Sequence, residues 1–245
     1  MRRGVSHCLD NLCVLTLFSS SSCRSIAFVP RVVKPSGPAS LHLGPPRLTL
    51  ASSPFTSPDR LQKNVTSTQI VLYEGKNFTG RKLELSTNCD NFQERGLVNR
   101  VNSARVESGA FVCFDHPDFK GQQYVLERGE YPEFQRWSAL NDHMGSCRPI
   151  RMHGEHYRLE MFEDDNFSGQ HVELNQDCPL LQAKGLTKTC IKSLKVYGDG
   201  AWVLYEEPNY RGRMYVVERG SFGSHTEWQA DNPKIQSVRR VANYF

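Results

Sequence analysis

His153, Glu155 and His156 place two imidazoles and a carboxylate within four residues, side chains that could hold a metal ion or serve a metalloprotease-like centre. Such proteases carry their histidines four apart on one helix face, with a glutamate beside the first. Here the spacing is three, Gly154 intervenes, and the stretch lies between Pro149 and Leu159. An exposed linker is the expected outcome. Serine, histidine and aspartate are all present, but no nucleophile elbow, phosphate loop or cofactor motif accompanies them. No catalytic residue, cofactor or small-molecule substrate is therefore expected. The chain has eight cysteines, five of them beyond residue 65: Cys89, Cys113, Cys147, Cys178 and Cys190. Their odd number and the lack of any Cys-x-x-Cys pair point to reduced thiols packed as small hydrophobes, not to zinc or a disulfide framework. The alternative is that they are oxidation-sensitive positions. Sequons stand at Asn64, Asn77 and Asn166, and no glycosylation is expected.

The elements that would position these groups come from a repeat. An aromatic residue, four residues, a second aromatic, one residue and a glycine occur four times. The copies are Tyr73, Phe78, Gly80; Phe114, Phe119, Gly121; Phe162, Phe167, Gly169; and Tyr205, Tyr210, Gly212. A serine follows each glycine by 23 to 25 residues: Ser103, Ser146, Ser193 and Ser237. The glycines sit in tight polar stretches between strand-like runs, which predicts positive φ in a folded-over hairpin. The paired aromatics can pack across the bend, and each serine can bond the turn backbone. After the glycine comes period-two alternation, as in Lys82-Leu83-Glu84-Leu85 and His171-Val172-Glu173-Leu174. That alternation marks antiparallel strands with one face buried. No long stretch has helical periodicity.

The copies alternate in kind. Glu127, Arg128, Gly129 and Trp137 return 91 residues later as Glu218, Arg219, Gly220 and Trp228. Cys89, Gln93 and Gly96 return 89 residues later as Cys178, Gln182 and Gly185. The order is A-B, A-B, hence two domains of two unlike halves. A four-bladed propeller would require four equivalent copies and blade motifs such as Trp-Asp, which are absent.

These motifs resemble the Greek-key motifs of the vertebrate βγ-crystallins over about residues 68 to 245. Glu127 to Tyr131, followed by Trp137, is similar to that family's tyrosine corner and buried tryptophan. The runs Tyr73 to Gly80 and Asp142 to Pro149 are most similar to the member that shares features with both the β and γ branches. Two departures stand out. Phe111 occupies a position where the family usually has a tryptophan, which Trp202 retains in the second domain, and Phe222 replaces a corner tyrosine.

The resemblance implies an all-β chain of two βγ-crystallin domains, each a pair of Greek keys forming a β-sandwich. The expected boundaries are an extension over 1–67, a first domain over 68–149 (keys 68–108 and 109–149), a linker over 150–157 and a second domain over 158–245 (keys 158–198 and 199–241). The domains are expected to pair through apolar patches on their second halves. The fold-determining residues are the four aromatic pairs, glycines and serines above, with Tyr131, Trp137, Trp202 and Trp228. Some relatives bind calcium through two Asn or Asp, two variable residues, Ser or Thr, then Ser. The run from Asn141 to Ser146 keeps the first pair and the last serine, but Gly145 supplies no side-chain oxygen. Val98 to Ser103, Lys188 to Ser193 and Asn232 to Ser237 depart further. No strong metal site is expected, and Asn141, Asp142 and Ser146 form at most a degenerate one. The function implied is a structural, refractive constituent of the eye lens, with a part in lens development and vision, in the cytoplasm of lens fibre cells. It would be a monomer or weak homodimer touching other crystallins weakly. The alternative is a calcium-binding stress module outside the lens.

The net charge of +4 is unevenly placed. Residues 1 to 65 carry eight Lys or Arg against two Asp, which leaves 22 basic against 24 acidic residues in the remainder. That balance predicts no nucleic-acid partner. Arg239-Arg240 reads as a solvated pair. No segment is long enough to span a membrane. The first 65 residues, rich in Ser and Pro, read as a disordered extension. Arg2-Arg3 followed by Leu12 to Phe18 admits a secretory signal, and the Arg- and Ser-rich composition admits a transit peptide. The resemblance implies a chain with almost no such extension, so an alternative or mis-predicted first exon is the favoured reading.

Overall fold

The computed structural model describes residues 67–242. The extension expected over 1–67, with Asn64 and three of the cysteines, therefore lies outside the described residues apart from Ser67. Twelve β-strands account for the regular structure, joined by short 3-10 turns, with no α-helix among the described residues.

The first domain contains β1 (Gln69–Tyr73), β2 (Lys82–Leu85), β3 (Ser103–His116), β4 (Lys120–Tyr131) and β5 (Ser146–Pro149). The second contains β6 (Tyr157–Asp164), β7 (Ser168–Leu174), β8 (Ser193–Gly198), β9 (Trp202–Glu207), β10 (Arg211–Val217), β11 (Gly220–Phe222) and β12 (Ser237–Arg240). All pairings are antiparallel. β3 and β4 are long, and their two ends take different partners. The first part of β3 pairs with β1, its second part with β5, and the register slips between Val106 and Ala110. Gly109, with φ of 73°, lies in that slip, where a residue with a Cβ would be strained. In the second domain the same path is cut into separate strands, β8 with β9 and β10 with β11.

The Greek keys interlock through their third segments. The chain after β2 crosses the domain and pairs at Cys89 with Cys147 of β5, and Cys178 pairs likewise with Val238 of β12. Each half thus completes a sheet of the other, which makes the two halves of a domain one folding unit. Between the sheets, one core holds Ile70, Leu72, Phe92, Phe111, Leu126 and Trp137, and the other Leu159, Met161, Leu181, Trp202, Leu204 and Trp228. Each large side chain so buried contributes about 1.5–3 kcal/mol. A third cluster lies between the domains.

Candidate functional site

The repeated unit is a clasp built on a hairpin. In the first copy Asn77 and Phe78 both take the left-handed region, at φ of 52° and 63°. That folds Phe78 back over β1, so its ring meets Tyr73 edge-on with centroids 5.7 Å apart. The Phe78 N–H donates to Ser103 Oγ at 2.9 Å, and that hydroxyl donates to the Gly75 carbonyl at 2.6 Å. Ser103 is wholly buried. One hydroxyl therefore satisfies a donor and an acceptor that the fold-over removes from any strand ladder.

The other copies repeat this geometry. Ser146 joins Phe119 N–H to the His116 carbonyl, Ser193 joins Phe167 N–H to the Asp164 carbonyl, and Ser237 joins Tyr210 N–H to the Glu207 carbonyl. Phe114 meets Phe119, Phe162 meets Phe167 and Tyr205 meets Tyr210, all edge-on at 5.8–5.9 Å. Gly80, Gly121, Gly169 and Gly212 have φ between 79° and 91°. The exposed faces of two folded rings carry cations, Arg105 at 3.9 Å from Phe78 and Lys195 at 4.4 Å from Phe167.

Tyr131 forms the corner of the first domain. Its hydroxyl accepts from Glu127 N–H and donates to the Glu127 carbonyl, both at 2.9 Å. Burial pushes its pKa up to about 12. The ring meets Trp137 edge-on at 6.2 Å. Phe222 keeps the corresponding ring contact with Trp228 at 6.3 Å but has no hydroxyl to donate. Trp202 and Phe111 are both fully buried. Trp202 packs edge-on against Tyr157, whose hydroxyl donates to the Val241 carbonyl at 2.6 Å.

The second halves of the two domains meet on an apolar face. Its members come in pairs 91 residues apart: Val112 and Val203, Phe114 and Tyr205, Val125 and Val216, Ile150 and Val241. The pairing gives the face a pseudo-two-fold character. Two ion pairs flank it with the same spacing, Arg239 with Glu127 at 2.7 Å and Arg148 with Glu218. Gln123 breaks the symmetry, since Met214 stands at its counterpart. Gln123 is buried, and its Oε1 accepts from Val216 N–H of the other domain at 2.9 Å.

Arg239 departs from the expected solvated pair, whereas Arg240 is exposed as expected. Arg239 also donates to the Tyr205 hydroxyl at 2.9 Å and keeps only 24% of its side chain exposed, while Arg240 pairs with Asp177. The partner Glu127 is 112 residues earlier, so nothing local marked the pair as structural. The shared 91-residue offset of Glu127 with Glu218 and Arg148 with Arg239 was the available signal. Glu163 was also missed. It is buried, and it accepts N–H bonds from Thr187 and Lys188 at 2.8 Å each.

The oxygens of the degenerate calcium run are engaged by protein donors. Asn141 Oδ1 accepts from His143 N–H, and Ser146 Oγ belongs to its clasp. Asp142 takes Arg100 at 2.8 Å and Asn102 at 3.1 Å. Burial works against the Asp142 carboxylate, but the Arg100 and Asn102 hydrogen bonds hold its pKa below the usual range. Among the described residues no three His, Cys, Asp or Glu side chains are grouped to hold a metal. His153 and His156 are exposed, and His156 Nδ1 faces Asp199 at 3.6 Å. Cys89, Cys113, Cys147 and Cys178 are buried free thiols, and Cys190 is half-buried.

The family model described as Beta/Gamma crystallin matches residues 69–150 and 158–241. Gamma-crystallin N-A of Danio rerio is 70% identical over 179 residues, 73% of this chain and 98% of that protein. Gamma-crystallin N of Rattus norvegicus is 66% identical over the same shares, and gamma-crystallin N of Homo sapiens is 63% identical over 55% of this chain and 74% of that one.

Proposed function

The chain belongs to the beta/gamma crystallin family, and on that premise we propose that it is a structural constituent of the eye lens, a soluble, long-lived protein that raises refractive index without scattering light. The observation that carries this reading is the 70% identity to a gamma-crystallin N over 98% of that relative's length. The physical design supports it. Transparency at high concentration requires a surface that repels indiscriminate association and a fold that opens slowly. Large hydrophobics exposed among the described residues are single side chains, Val98, Leu140 and Leu180. Charges of both signs are interspersed on the surface, as in Arg158 with Glu173 and Arg100 with Asp142. Interlocked keys make strand pairing non-local, so unfolding disrupts both sheets of a domain at once.

In this role the protein works without catalysis, in the cytoplasm of lens fibre cells, as a monomer or weak homodimer in weak contact with other crystallins. The test is light scattering over a concentration series up to lens-like crowding, with calorimetric titration of calcium alongside. Clear solutions whose scattering per molecule falls with concentration, and no calcium heat, are expected. Rising turbidity would overturn the refractive role, and saturable calcium heat would favour a calcium-binding module instead.

A further inference from the structure

Three thiols lie in one row across the first domain. Cys113 of β3 is directly opposite Cys147 of β5, and Cys147 is directly opposite Cys89. Cys89 and Cys147 exchange both backbone bonds, N–H to carbonyl, at 2.9 Å. The Cys147 backbone groups therefore point towards Cys89, which makes Cys147 and Cys113 a non-hydrogen-bonded pair. Such pairs stand with Cα atoms about 4.5 Å apart and side chains close, within the span of roughly 4.4–6.8 Å that a disulfide bridges. Directly opposed residues share a sheet face, here the inner one, where Cys113 and Cys147 are wholly buried. The neighbouring Cys113 thiol and then burial push the Cys147 thiol well above its ordinary range. Cys89 instead turns its sulfur to the Asn91 carbonyl at 3.7 Å.

The second domain has the same row with different chemistry. Cys178, Val238 and Leu204 occupy the positions of Cys89, Cys147 and Cys113, with the same backbone pairing. The fold thus packs aliphatic side chains there, and two thiols face each other only in the first domain.

We propose that Cys113 and Cys147 form a latent internal disulfide site, closed by a peroxide-class oxidant. When local opening of the sheet admits the oxidant, one thiol gives up its proton, its sulfur attacks a peroxide oxygen, the O–O bond breaks, and a sulfenic acid and one water result. The second sulfur displaces the sulfenic oxygen, which leaves as water with the second thiol proton. Two thiols are oxidised and one peroxide is reduced to two waters. The link joins strands already in register, so it consumes oxidant inside one chain without joining chains.

The test treats the full chain with hydrogen peroxide until its mass stops changing. Remaining thiols are then alkylated under denaturing conditions, and linked peptides are mapped by mass spectrometry. The expected result is a Cys113–Cys147 peptide pair, a loss of two hydrogens, and no alkylation at either position. Cys147→Val and Cys113→Leu, the residues the second domain uses, abolish the link, while Cys89→Val leaves it in place. Alkylation of both Cys113 and Cys147 at the end point, or a dominant link from either to another cysteine, would overturn the proposal.

Discussion

Ser103→Ala removes one oxygen from the first clasp and nothing else. In the folded chain the change orphans the Phe78 N–H and the Gly75 carbonyl, which Ser103 holds at 2.9 and 2.6 Å. An orphaned buried group costs about 1–3 kcal/mol. Because Phe78 and Gly75 are only half-buried, water recovers part of the loss, and about 2–3 kcal/mol in total is the expected destabilisation. With a urea slope of roughly 2 kcal/mol per molar, the first-domain midpoint falls by about 1–1.5 M at unchanged slope. Equilibrium urea unfolding followed by circular dichroism and tryptophan fluorescence measures this. Ser193→Ala repeats the experiment in the second domain, where Ser193 bonds Phe167 N–H at 2.9 Å and the Asp164 carbonyl at 2.6 Å. A shift below about 0.3 M in both variants would refute the clasp as an energetic element.

Gly169→Val places a Cβ in a backbone at φ 79° and 2.6 Å from Asp164 Oδ2. Left-handed strain alone costs about 1–2 kcal/mol, so a lowered thermal midpoint and earlier aggregation are expected, checked by calorimetry and turbidity. Arg239→Ala strips Glu127 of its cross-domain partner at 2.7 Å. A loss of about 1–2 kcal/mol is expected, with a wider gap between the unfolding steps of the two domains in differential scanning calorimetry. The Lys188 N–H bond, against the opposing effect of burial and with help from Thr187, holds Glu163 below its ordinary pKa. A depressed folded pKa stabilises above the unfolded value of about 4.3, and that stability is lost as pH falls through the folded value. Glu163→Gln should therefore flatten the acid limb of the second domain's urea midpoint plotted against pH.

The parts of the fold set by local chemistry were readable in the sequence. The aromatic pairs and serines recur because one hydroxyl and two rings close every hairpin, so spacing alone exposed them. The A-B, A-B order was readable because the first halves share one residue set, Cys89, Gln93 and Gly96 with their counterparts, and the second halves share another, Glu127 to Gly129 and Trp137 with theirs. Positive φ at Phe78, Phe119, Phe167 and Tyr210 was hidden, since a bulky residue normally avoids that region. It is held there by the serine bond and the partner ring, which are tertiary contacts. Gln123, Arg239 and the row of thiols were hidden for a related reason. Their partners are 93, 112 and 34 residues away, and only the pairing of strands and domains brings them together.

The central claim is that this chain serves the lens as bulk protein. Quantitative mass spectrometry of peptides from residues 68–242 in the soluble fraction of dissected lens fibre cells, with other tissues of the same animal as reference, tests it most directly. The account predicts these peptides in the lens at levels comparable with other crystallins and far above every other tissue. Their absence from lens, or equal abundance elsewhere, would contradict it.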